Sequence, residues 1–172
     1  MSATGLQFDL LDDTGRLGVA CRAWITDRIQ AVAAVLGMHG EIRVRVLDDQ
    51  AMAAAHKEFL GVEGTTDVLT FDLQDREGAT TEKPDILELG SYKDRSLFAI
   101  DSDILLCLDE ALRHSTPGGY PVERELLLYV VHGVLHCLGW DDHEEAEAAA
   151  MHQLEDAVLK AVGVGPVFRL EA

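Results

Sequence analysis

The chain has 172 residues, 48% of them hydrophobic and 26% charged, which is the balance of one ordinary globular domain and excludes disorder along the whole length. Its 14 Lys and Arg stand against 31 Asp and Glu, a formal net charge of −17 that counts against a broad basic face for nucleic acid, though not against a local positive site such as a bound metal ion. The longest apolar run, Leu126–Val131, falls far short of the about 20 residues of a membrane span, and the start MSATGLQFDLLDD lacks a signal-peptide pattern. Three widely spaced cysteines, Cys21, Cys107 and Cys137, fit a reducing cytoplasm better than a disulfide framework.

In chain order, residues 5–10 read as a short strand. Residues 17–37 place Trp24, Ile25, Ile29, Val32, Val35 and Leu36 on one helical face, with Gly37 as the stop. Residues 41–47 alternate strictly, Ile42, Val44 and Val46 against Arg43 and Arg45, as a strand with one buried face does. Asp48 or Asp49 caps a helix to about Leu60. Residues 66–72 form another strand. The polar, turn-rich stretch 73–95 is an excursion, either loop or hairpin. Residues 97–107 hold one broken strand or two short ones, 108–115 a short helix, and 116–121 a turn. Pro121 then opens a helix over about 122–138 that is apolar on all sides and so belongs in the centre. Glu144 to about Val162 is a last amphipathic helix with an acidic first turn, and 163–172 is a tail. The expected fold is a single α+β domain over residues 1–172, a small mixed sheet packed by helices, without strict βαβ alternation.

The chemistry concentrates in HGVLHCLGWDDH, residues 132–143. His132 and His136 are four apart on the central helix and share one face. Gly139 breaks that helix, and a short loop can return His143 toward the same point. Three neutral imidazoles and one open position make a catalytic type of zinc site, with nickel, copper and iron as alternatives. The plain alternative is two core histidines and one exposed one. Two buried imidazoles without partners would cost free energy that a metal removes. The metalloprotease pattern H-E-x-x-H carries glutamate where this chain has Gly133, so that general base is missing. Asp141 and Asp142 either orient a ring, take a proton, or serve as turn and capping residues. Cys137 points away as a core residue. His56, His114 and His152 read as solvated, His39 lies in the turn before a strand, and Trp140 packs over the loop.

These residues resemble the YbeY family of bacterial rRNA maturation endoribonucleases. Its signature H-G-x-L-H-L-x-G-[YF]-D-H matches HGVLHCLGWDDH, its T-D-V-L-S-F block matches TDVLTF at 66–71, and DSDILLCLDEAL at 101–112 resembles a third segment. The matches keep the family's order across about 42–158. The resemblance implies one α+β domain holding one Zn2+ on His132, His136 and His143. It also implies a cytoplasmic, single-strand-specific endoribonuclease acting in rRNA processing at the small-subunit 3′ end and in ribosome quality control. Single-stranded RNA, rRNA and the small ribosomal subunit are then the expected partners, with no membrane. No side chain is assigned as the catalytic base; the expected reacting group is a water on the metal, whose pKa zinc lowers to about 7. Two departures stand out. Six residues separate the second and third histidines where the family has five. Leu60 stands where many members carry an arginine, with Lys57, Arg43 and Arg45 as replacement cations.

Two other functions compete. One is a non-catalytic ribosome-assembly factor with structural zinc, favoured by Leu60 and the net charge, and to be recognised by a fourth protein ligand such as Asp142. The other is a zinc hydrolase of another substrate class.

Overall fold

The computed structural model describes residues 5–75, 82–92 and 97–165. In chain order these form β1 (Leu6–Asp12), α1 (Val19–Leu36), β2 (Met38–Leu47), α2 (Asp49–Leu60), β3 (Val68–Asp72), a 3-10 turn at Ile86–Glu88, β4 (Phe98–Cys107), α3 (Leu108–Gly118), α4 (Val122–Cys137) and α5 (Glu145–Ala161). The sheet runs β1-β2-β4-β3. β1 and β4 flank β2 in parallel, and β3 closes the sheet antiparallel to β4. This is the expected α+β architecture.

Alternation along the two central strands gives the sheet its two faces. Ile42, Val44 and Val46 of β2 and Ile100, Ile104 and Leu106 of β4 point into one core, shared with Ile25 and Ile29 of α1, Leu126 to Val131 of α4, and Met151, Leu154 and Val158 of α5. On the other face α2 covers a smaller cluster of Leu47, Met52, Ala55, Leu69 and Cys107. Asp48 caps α2, accepting from the Ala51 N–H at 2.8 Å, which settles the choice between the two aspartates.

Three expectations need correction. β4 is one continuous strand, not a broken one. Its polar residues do not interrupt it, because Asp101 and Asp103 pair with Arg43 on the α2 side while Ser102 is buried and accepts from the Cys137 thiol. β2 starts at Met38, so His39 lies in a strand and not in a turn. Gly37, left-handed at φ 64°, closes α1 and turns the chain straight into that strand. α3 continues to Gly118 through Pro117. The proline sits in the last turn, where only one backbone bond is forfeited. Of the 73–95 excursion, 82–92 holds the 3-10 turn, while 76–81 and 93–96 lie outside the described residues, as do 166–172 of the tail. No helix among the described residues is long and apolar enough to cross a membrane.

Candidate metal centre

α4 is buried on nearly every side, as its unbroken apolar composition requires. Its approach to the sheet is set at Gly133. A Cβ there would lie 2.5 Å from Thr70 Oγ1 and 3.5 Å from Ile104 Cδ1. The TDVLTF and HGVLH segments, sixty residues apart in sequence, therefore touch at Thr70 and Gly133. The same contact fits the absence of a glutamate, since a Cβ at 133 already crowds Thr70.

His132 and His136 bring their rings together at the C-terminal end of α4. The Nδ1 of His132 is 2.5 Å from Oε1 of Glu155 on α5, and that glutamate is fully buried. The Nδ1 of His136 is 3.1 Å from the carbonyl oxygen of Trp140. A carboxylate and a carbonyl only accept, so each neutral ring carries its proton on Nδ1 and presents a bare Nε2. The two Nε2 atoms are 3.0 Å apart. Oδ2 of Asp142 is 3.5 Å from the first and 3.6 Å from the second. With both rings neutral, three acceptors converge with no donor among them.

A divalent cation fits this arrangement. A triangle with those edges has its corners about 2.0 Å from its centre, the length of a zinc–nitrogen or zinc–oxygen bond. The surroundings also favour positive charge. Burial pulls the His132 pKa down, but the hydrogen bond and charge of Glu155, with Asp142 and Asp67, outweigh it and raise the ring above its ordinary value.

The third histidine of the sequence reading is placed elsewhere. His143 is 84% exposed, and its Nε2 faces Asp141 Oδ1 at 3.3 Å. It groups with Asp141 and Asp142, whereas Asp142 groups with His132 and His136. Asp141 closes the turn, accepting from the Asp142 N–H at 2.8 Å. Trp140 packs against the core beside the loop as expected, and its indole N–H also donates to the Pro84 carbonyl at 2.8 Å. Lys83 lies over the same ring at 4.2 Å, tying the 82–92 segment to the site.

Glu155 was not read from the sequence. Its signal was an acidic residue inside the apolar stripe Met151, Leu154, Val158 of α5. His152, expected to be merely solvated, has its Nδ1 3.2 Å from the second oxygen of Glu155. The replacement cations are engaged with acids. Arg43 pairs with Glu41, Asp101 and Asp103, Arg45 with Asp13, and Lys57 with Glu63. Leu60, at the end of α2, is exposed.

A family model for the endoribonuclease YbeY matches residues 13–163. A curated endoribonuclease YbeY from Desulfitobacterium hafniense is 35% identical over 124 residues, covering 72% of this chain and 73% of that protein. One from Moorella thermoacetica is 33% identical over 138 residues, covering 79% and 83%. The solution structure of a Thermotoga maritima protein superposes with a TM-score of 0.51 at 18% identity, covering 90% of this chain and 89% of that one, a likeness of fold.

Proposed function

Since this chain belongs to the YbeY endoribonuclease family, we propose that it is a metal-dependent, single-strand-specific endoribonuclease of rRNA maturation. The ion in this reading is zinc, one per chain. It would sit on His132, His136 and a third donor from the loop after Gly139. The reading extends to small-subunit 3′-end processing, ribosome quality control and a cytoplasmic location, as one catalytic domain. The observation that carries the metal is the convergence of three acceptors at bonding distance from a common centre.

When bound, zinc would polarise a phosphoryl oxygen and lower the pKa of a water to about 7. The protein's own residues set the stage for that chemistry. Glu155 and the Trp140 carbonyl fix both imidazoles in the tautomer that offers Nε2. The Thr70–Gly133 contact holds α4 close on β3. Negative charge surrounds the site, and the ion itself is the attraction for a phosphodiester in a chain of net charge −17. With Arg43, Arg45 and Lys57 already paired to acids, RNA is held by few phosphate contacts, and the salt slope of binding is shallow.

That pairing of the cations is also what favours the second reading, a zinc-containing assembly factor that does not cut RNA. One experiment separates them. A short RNA is offered as a single strand and as a duplex to the protein before and after chelation, with zinc then restored. Cutting of the single strand only, lost on chelation and regained with zinc, supports the endoribonuclease. Zinc bound without cutting supports the assembly factor, and chelator-sensitive cleavage of casein instead would revive a hydrolase of another class.

A further inference from the structure

We propose that the third protein ligand of this metal site is Asp142 and not His143, so that the chain holds its ion with two histidines and one carboxylate. The inference rests on the metal reading above and concerns which side chain completes it.

Register points to Asp142 first. In the signature H-G-x-L-H-L-x-G-[YF]-D-H the third histidine falls ten residues after the first, and the residue ten after His132 is Asp142. No insertion is then needed; the loop has its usual length and one ligand is exchanged. The backbone keeps that register. The Trp140 N–H donates to the Leu135 carbonyl at 3.0 Å, and the Trp140 carbonyl accepts from His136 Nδ1 at 3.1 Å. Trp140 is thus anchored on both sides to the turn of α4 that carries His136, two residues before Asp142. On the far side α5 begins at Glu145, its start fixed by the Ala148 N–H donating to the Glu144 carbonyl at 2.8 Å.

Geometry agrees. The Asp142 carboxylate is 35% exposed and faces both Nε2 atoms, while His143 is 84% exposed and turned to Asp141. Chemistry agrees as well. Asp142 faces two imidazole nitrogens whose rings are held on the other side by acceptors, and one metal cation satisfies all three. Two histidines, one carboxylate and an open position form a catalytic set for zinc and equally a set for ferrous iron. The carboxylate cancels one unit of the ion's charge, so the site is a milder Lewis acid than three neutral imidazoles would make. Because Asp142 takes the third place and does not add a fourth, the open position of a catalytic site is kept.

The test is zinc titration calorimetry of the full chain, metal-free, with folding of each variant checked by circular dichroism. Cobalt absorption spectra give a second readout of the ligand set. Losing an outer-shell partner costs about 10–100-fold in affinity. Asp142→Ala is therefore expected to lose more than about 100-fold, His143→Ala to stay within about twofold of the parent, and Asp142→His to bind zinc with an altered cobalt spectrum. A large loss in His143→Ala with little in Asp142→Ala overturns the assignment and leaves the metal reading standing. Comparable losses in both mean a closed four-ligand site, which overturns it too. Unchanged zinc binding in His136→Ala refutes the metal site itself.

Discussion

Replacing Gly133 with alanine is expected to reverse the usual sign of such a change. In an exposed helix, glycine to alanine gains about 1 kcal/mol. Here the new methyl would sit 2.5 Å from Thr70 Oγ1, inside the closest approach of such atoms, with Ile104 Cδ1 and Thr70 Cγ2 each at 3.5 Å. Thr70 is β-branched and stiff at χ1, and it stands on a strand paired to β4, so it cannot swing aside cheaply. Overpacking of this kind costs about 1–3 kcal/mol. Set against the propensity gain, the net effect is a loss of about 1 kcal/mol, or about 2–4 °C in Tm for a chain of this size. Urea unfolding followed by circular dichroism measures it. The double-mutant cycle is sharper. In a Thr70→Ala background the methyl has room, and the same Gly133→Ala change becomes stabilising. A Gly133→Ala protein at least as stable as the parent would refute the close approach of α4 to β3.

Two further predictions concern buried and half-buried carboxylates. Glu155→Gln keeps the shape behind His132 but removes the charge that makes its ring a better ligand; zinc affinity falls about tenfold by calorimetry, and an unchanged affinity would mean that Glu155 does not support the metal. Asp12 is pushed up by burial, but hydrogen bonds from the Thr14 hydroxyl and from the N–H groups of Leu17, Thr14 and Gly15 outweigh this and hold its pKa below the ordinary carboxylate value. A depressed folded-state pKa adds stability above the unfolded value of about 3.9, and that stability drains away as pH falls through the folded value. Asp12→Asn should flatten the acid side of the stability curve below about pH 4, and an unchanged slope there would count against these hydrogen bonds.

What could be read from the sequence was whatever local periodicity records. The strict alternation of Ile42 to Val46 and the all-round apolar surface of α4 mark a strand and a central helix; the helix stands within a residue of its expected limits, while the strand begins three residues earlier, at Met38. Elements whose limits depend on distant partners are not marked by local periodicity. β4 runs unbroken through Asp101 and Asp103 because their partner, Arg43, comes from some sixty residues away. α3 outruns its expected end at 115 for a local reason, since the last turn of a helix tolerates Pro117. At the site, the meeting of the His132 and His136 rings follows from helical spacing alone. Glu155 does not, because it reaches them from another helix. Asp142 stands ten residues after His132, but that its carboxylate faces both rings depends on how Trp140 is anchored to α4, which spacing alone does not encode.

In the proposed function, an ion on His132 and His136 makes this protein a ribonuclease. Its most direct test compares cleavage of a short single-stranded RNA by the zinc-loaded protein, the chelated protein and His136→Ala, at equal folded concentration. Cutting by the zinc-loaded protein alone is expected. Equal cutting by all three, or none by any of them with one zinc bound per chain, would contradict it.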